Sequence, residues 1–250
     1  FTTLDPADGT TEVLSILEET STYDGVSRAS WSPDGSRLAF YAYDPATGRA
    51  WIWLADPDGT NLSRVPGTEG ADEAYPVAWS PDGARLAFGL YSRNVHSIWT
   101  VGVDGSGLTE VFNPQDEWPR EPWQNQGSAL APDWSPDGDE ILFRGGPYDS
   151  SVPRYRSQLW RVGVDGSGLT QIGTVDYVSY ASWSPNGAEV AFIAPRDFSS
   201  NAAVIQTIRA DGTGLRTLQT LDYRPSLSGL VWSPDGESLA YLQNGVSVHL

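Results

Sequence analysis

The stretch AWSPDGARLAF, residues 78–88, occurs five times with small changes, and this recurrence constrains the fold of the 250-residue chain more than any other feature. Its other copies are SWSPDGSRLAF from Ser30, DWSPDGDEILF from Asp133, SWSPNGAEVAF from Ser182 and VWSPDGESLAY from Val231. The motif tryptophans, Trp31, Trp79, Trp134, Trp183 and Trp232, are 48, 55, 49 and 49 residues apart. A second signature alternates with the first: IWLADPDGTNLSRV (52–65), IWTVGVDGSGLTEV (98–111), LWRVGVDGSGLTQI (159–172) and IQTIRADGTGLRTL (205–218). TTLDPADGTTEVL (2–14) is a weaker fifth copy. Each unit thus carries two Asp/Asn-Gly turns between four short apolar runs.

Those runs read as strands. The first turn is followed by Leu38-Ala39-Phe40, Leu86-Ala87-Phe88, Ile141-Leu142-Phe143, Val190-Ala191-Phe192 or Leu239-Ala240-Tyr241. Successive strand residues face opposite sides, so apolar character at consecutive positions means that both faces are covered. The smaller residue, Ala in four of five copies, lets a neighbouring sheet come close. Four-stranded sheets at this period, each packed on the next, predict an all-β fold, a β-propeller of four-stranded antiparallel blades. The expected organisation is one propeller domain over 1–250, with repeats near 31–78, 79–133, 134–182, 183–231 and 232–250, the last closed by 1–30. Composition agrees: Gly (26) and Pro (18) punctuate the runs, and 11 Trp, 11 Tyr and 7 Phe supply a core.

The WSPDG…LAF…IW…DG…GLT pattern resembles the TolB-type propeller repeat, a relative of the WD-repeat family, over nearly the whole chain. The resemblance implies a propeller but little about activity, because such propellers act as scaffolds, binding modules and non-catalytic partners of peptidase domains. Closure has two readings. The C-terminal ESLAYLQNGVSVHL supplies two strands around an Asn-Gly turn, and TTEVLSIL can add an outer strand, giving five blades that share strands between the termini. Both FTTLD and VSVHL, however, look like third strands, which leaves one surplus. A sixth blade is the alternative, six being the number that the resemblance implies.

An aspartate repeated beside glycine and tryptophan invites a catalytic or metal-binding reading. Turn chemistry explains it more simply. In Ser-Pro-Asp-Gly, Pro sets φ at the second position, Asp fits the third, and Gly takes the left-handed conformation that follows. The carboxylate can accept from nearby backbone N–H groups, and Asn186 keeps that capacity without the charge. Asp34, Asp82, Asp137, Asn186 and Asp235 are therefore expected to be structural. The second turns, with Asp5 and Asp8 or Asp56 and Asp58, resemble calcium loops only faintly and lack the distal bidentate Glu. Trp53, Trp99 and Trp160 are expected in the core between blades.

Charge and motif content narrow the function. A net charge of −17 argues against nucleic acid and anionic membranes as partners, since both call for a basic face. All 15 basic residues are Arg, which suits either high salt or GC-rich coding bias. With no Cys there is no disulfide or thiolate site, and no run approaches a membrane span. A chain that starts at Phe1 and contains no Met is expected to be a processed or partial form, which leaves room for a removed signal or lipid anchor. His96 and His249 fall in separate units and read as strand-surface residues. There is no His-Glu-x-x-His or Gly-x-Ser-x-Gly, and a phosphate loop ending in Gly-Lys cannot exist without Lys. The expectation is no enzyme, no cofactor and no metal.

Where the repeat breaks, function can sit. In a propeller blade the first-to-second and third-to-fourth turns share one face, so the stereotyped SPDG and DGSG turns belong together. Insertions then collect on the opposite face. From Asp104 to Trp134 there are 30 residues, against 21 after Asp58 and 18 after Asp165; the excess is NPQDEWPREPWQNQGSALAP (113–132). From Trp134 to Asp165 there are 31, against 25 in the unit before; the excess is RGGPYDSSVPRYRSQ (144–158). Together they carry Trp118, Arg120, Trp123, Tyr148, Arg154, Tyr155 and Arg156, residue types enriched at interface hot spots. These seven are the expected partner-binding residues; the alternative for Trp118 and Trp123 is packing within their own loop. The expected function is a non-catalytic protein-binding or scaffold propeller, periplasmic or extracellular. It would dock to another protein or a multi-subunit complex, including a membrane-associated one. The other class is a lyase, glycosidase or glycan-binding propeller. That class would use carboxylates such as Glu69, Asp72, Glu73, Asp116, Glu117 and Glu121, two of which must stand a few ångströms apart for glycosidase chemistry.

Overall fold

In the computed structural model every Ser-Pro-Asp/Asn-Gly stretch closes the same hairpin. The structure describes residues 2–4, 11–13, 26–44, 49–70, 77–92, 95–118, 128–147, 157–196, 202–221, 227–243 and 247–249. The glycine N–H donates to the carbonyl of the turn's serine at 2.9 Å (Gly35 to Ser32, Gly83 to Ser80, Gly138 to Ser135, Gly187 to Ser184, Gly236 to Ser233). Each of these glycines has φ between 69° and 80°, a region that costs an L-residue energy but not glycine. Local chemistry therefore sets where each first strand ends and each second strand begins.

Among the described residues, strands pair only with their sequence neighbours. β1 (Thr2–Leu4) pairs with β2 (Thr11–Val13). Four four-stranded antiparallel sheets follow. They are β3 (Val26–Trp31), β4 (Leu38–Asp44), β5 (Arg49–Ala55) and β6 (Ser63–Arg64); then β7 (Ala78–Trp79), β8 (Arg85–Ser92), β9 (Val95–Gly102) and β10 (Thr109–Phe112). After a short helix α1 (Pro114–Glu117) come β11 (Ser128–Trp134), β12 (Glu140–Gly146), β13 (Gln158–Gly163) and β14 (Thr170–Gln171). The fourth comprises β15 (Tyr180–Trp183), β16 (Glu189–Pro195), β17 (Ala203–Arg209) and β18 (Arg216–Leu221). A three-stranded sheet, β19 (Leu227–Trp232), β20 (Leu239–Gln243) and β21 (Ser247–His249), ends the series. Up-and-down sheets whose first strands touch in succession are blades of a propeller.

The expected sharing of strands between the termini is not found among the described pairings. β2 pairs with β1, and β21 with β20. The surplus strand of the repeat arithmetic is β1, which joins a sheet of its own instead of the C-terminal one.

Alternation builds the core. Ala39 and Tyr41 face the following sheet and pack with Leu86 and Phe88. Ala87 packs with Ile141 and Phe143, Leu142 with Val190 and Phe192, and Ala191 with Leu239 and Tyr241. The small residue lets the next sheet's ring lie against the backbone. Phe40, Phe88, Phe143 and Phe192 are buried, each contributing about 1.5–3 kcal/mol through burial. Trp53, Trp99 and Trp160 pack against the edges of these clusters, as expected.

Polar ties join sheet to sheet at the first strands. The indole Nε1 of a motif tryptophan donates to the carbonyl of the residue before the preceding one: Trp79 to Ser30 (3.1 Å), Trp134 to Ala78 (3.2 Å) and Trp232 to Ser182 (3.3 Å). Trp183 is the exception. Its indole has no acceptor among the described residues, and its backbone N–H instead donates to the Asp133 carboxylate at 3.0 Å.

Candidate functional site

The aspartate of the first turn is used up by the turn. Asp82 Oδ1 accepts from Ser80 Oγ at 2.6 Å and from the Ala84 N–H at 2.9 Å, while Ser80 Oγ accepts from the Arg85 N–H. Asp34, Asp137 and Asp235 repeat this network. Asn186 repeats it too, with Ser184 Oγ at 2.8 Å and the Ala188 N–H at 3.0 Å. Donors aimed at the charged form hold these carboxylates below their ordinary range; Asp34, held first by the Ser32 hydroxyl, falls to about 2. Carboxylates so engaged are poor proton acceptors near neutral pH.

In the second turns, Asp58, Asp104, Asp165 and Asp211 each accept from the backbone N–H two residues on. Val103, Val164 and Ala210 donate to Ala84, Asp139 and Ala188, at 3.1, 3.0 and 3.0 Å. The two short turns of a sheet are thereby tied side by side, placing SPDG and DGSG on one face. The connections between second and third strands, and those between sheets, leave from the other face.

On that other face both long insertions grow from one aromatic cluster. Phe112 ends β10, Trp118 follows α1, and Phe143 and Trp160 belong to β12 and β13. Ring centroids lie 5.0 Å apart for Phe112–Trp118, 4.7 Å for Phe112–Phe143 and 5.5 Å for Trp118–Trp160. Asn113 caps α1 by accepting from the Gln115 N–H at 2.9 Å, and Pro114 supplies a fixed φ in the first turn. The base of 144–158 is equally fixed. Gly145 pairs with Gln158, Trp160 Nε1 donates to the Gly145 carbonyl at 3.2 Å, Ser157 Oγ donates to the Val178 carbonyl, and Gln158 donates to Asp176 at 2.8 Å.

Of the seven expected partner-binding residues, Trp118 is the one described: it is 7% exposed and packs in the core cluster at the root of its loop. Arg120, Trp123, Tyr148, Arg154, Tyr155 and Arg156 lie outside the described residues. Sequence reasoning passed over Tyr91, an exposed ring at the end of β8 on the same face, 4.6 Å from the ring of His96. It also passed over Asp133. A signal was present: Asp133 stands where the other copies have Ser30, Ala78, Ser182 and Val231. Desolvation pushes this carboxyl up to about 6, against the bonds from Trp183 and Ser182 that favour its charged form.

Carboxylate pairing finds no support among the described residues. Glu69 is tied to Arg49 at 2.8 Å, Asp116 and Glu117 lie on α1, and Asp72, Glu73 and Glu121 lie outside the description. Among the described residues no three His, Asp or Glu converge on one point, and no helix is long and apolar enough to cross a membrane.

The repeat, its turns and its sheet order are now matched by comparison. Residues 8–247 match the TolB beta propeller domain. The chain belongs to this family. An uncharacterized protein of Agrobacterium fabrum is 32% identical over 131 residues, 47% of this chain and 41% of that protein. The chain thus spans less than half the length of that curated relative. TolB from Acinetobacter baumannii superposes with a TM-score of 0.68 at 16% identity, over 98% of this chain and 57% of that one. An oligogalacturonate lyase in complex with manganese gives 0.63 at 18%, over 96% of this chain and 65% of that one. TolB-family architecture is therefore found in an enzyme as well as in TolB, and the fold alone does not choose between them.

Proposed function

We propose that this TolB-family chain is a non-catalytic protein-binding propeller, a periplasmic or extracellular subunit that docks to a larger assembly through its long-loop face. The observation that carries this reading is the shared root of the two insertions. Loops from adjacent sheets, rich in Trp, Tyr and Arg, rise from one packed aromatic cluster with hydrogen-bonded bases. A fixed base lowers the ordering cost of binding, and those side chains are typical interface anchors. Turn carboxylates engaged in structural bonds support a binding role over catalysis.

Affinity capture compares the natural chain with a variant carrying Arg120, Trp123, Tyr148, Arg154, Tyr155 and Arg156 all as Ala. The expected result is one co-purifying protein or complex that falls at least tenfold with the variant at an unchanged melting temperature. Equal capture by both chains, or turnover of an oligogalacturonate by the purified natural chain, overturns the reading.

A further inference from the structure

The seam between the third and fourth sheets departs from its neighbours in three respects. Its tryptophan tie is missing. Trp79, Trp134 and Trp232 each donate an indole N–H to a carbonyl of the preceding sheet, whereas the buried indole of Trp183 has no acceptor among the described residues. A carboxyl group stands in for that tie. Asp133 Oδ2 accepts from the Trp183 backbone N–H at 3.0 Å, and the Ser182 hydroxyl donates to the same carboxyl. At the equivalent position Ser30 makes a neutral bond, its hydroxyl donating to the Val77 carbonyl at 2.6 Å, and Ala78 has no polar side chain to offer. The packing is also looser here. A cleft of about 440 Å³ lies between the turns of these two sheets, lined among others by Pro136, Arg161, Trp183 and Pro185. The clefts at the first–second and fourth–fifth seams hold about 170 and 220 Å³.

Burial disfavours the charged form of Asp133, and no opposite charge among the described residues offsets it. The elements packed on β11 carry Glu140 and Arg144 on β12, Tyr180 on β15, Arg85 and Tyr91 on β8, and His96 on β9; β7 carries no titratable group. Glu140 is held by Arg161 at 2.8 Å, Arg85 bonds to Thr100, and Tyr91 lies against His96. The surroundings act on Asp133 through burial and hydrogen bonds alone. Once ionised, this carboxylate reaches water only if the seam parts.

We propose that the seam between the third and fourth sheets is a proton-controlled opening in the propeller, held closed when Asp133 is protonated and free to part locally between β11 and β15 when it is ionised. The closed seam keeps the proton up to about pH 6, whereas the hydrated carboxyl releases it near 3.8. Opening therefore grows as pH rises through that window and levels off above it. β11 carries the end of the 113–132 insertion, so parting of this seam loosens the foot of that loop. The device belongs to the seam and does not rest on the partner-binding reading.

Amide hydrogen exchange of the full chain, followed by NMR at about pH 4.5 and about pH 7 and corrected for intrinsic rates, tests it. The Trp183 N–H should open at least tenfold more at the higher pH, while amides of β4 and β5, two sheets away, change less than twofold. Asp133→Asn keeps an acceptor for that N–H without the charge. It should open as little at pH 7 as the natural chain does at pH 4.5. Asp133→Ser, which places at 133 the residue found at 30 and 182, is a second uncharged variant and should likewise show no rise with pH. Equal Trp183 protection at the two pH values overturns the proposal. So does a matching rise in β4 and β5, which would mean global unfolding, or a rise that persists in both uncharged variants.

Discussion

Ser135 is the hub of its turn. Its buried hydroxyl donates to Asp137 at 2.6 Å and accepts from the Glu140 N–H at 2.9 Å. Ser135→Ala leaves that N–H without its partner and should cost about 1–3 kcal/mol in urea unfolding. Asp137→Asn should change stability by less than about 0.5 kcal/mol at neutral pH, because Asn186 already makes the same bonds. The charge still matters in acid. The eight turn aspartates with lowered pKa release protons more readily when folded. Their stabilisation is present above the unfolded value near 3.8 and is lost as pH falls below it. Asp133 has the opposite sign. The folded protein keeps its proton up to about pH 6 where the unfolded chain gives it up near 3.8, so stability declines as pH rises through that window. Asp133→Asn should therefore stabilise the protein at pH 7, by up to about 3 kcal/mol, and give no gain at pH 3.5. Parallel melting curves at the two pH values check this.

At the scale of elements, the tryptophan after α1 joins two sheets and two loops. Trp118→Ala removes a ring packed on Phe112 and Trp160 and should destabilise by about 3–5 kcal/mol. The denaturation midpoint measures it, and any loss of partner binding in that variant is indirect. Sequence legibility divides along the same line. The strands, the turns and the shared face of SPDG and DGSG were readable because each rests on chemistry within a few residues. Asn186 alone told the aspartate's role. The burial of Trp118 was not legible, because a tryptophan among Pro, Gln and charges looks like surface, and its packing on Phe112 and Trp160 joins residues of two sheets. At the termini the local signal was legible too: TTLDPADGTTEVL copies the second turn signature, and β2 pairs with β1 across it. How the first and last strands meet rests on contacts distant in sequence, which no turn motif encodes.

At the scale of the whole molecule, the repeat makes a frame and the departures from it carry the chemistry. One face is closed by turns whose polar groups bond to each other. The opposite face holds the insertions, the exposed Tyr91 and the hydrogen-bonded bases of both loops. Hydrogen–deuterium exchange of the chain, alone and with its captured partner, tests this division most directly. The account predicts slowed exchange across residues 113–132 and 144–158, with the SPDG turns at 32–36, 80–84, 135–139 and 184–188 unchanged. Slowed exchange confined to those turns, with both long loops unaffected, would contradict it.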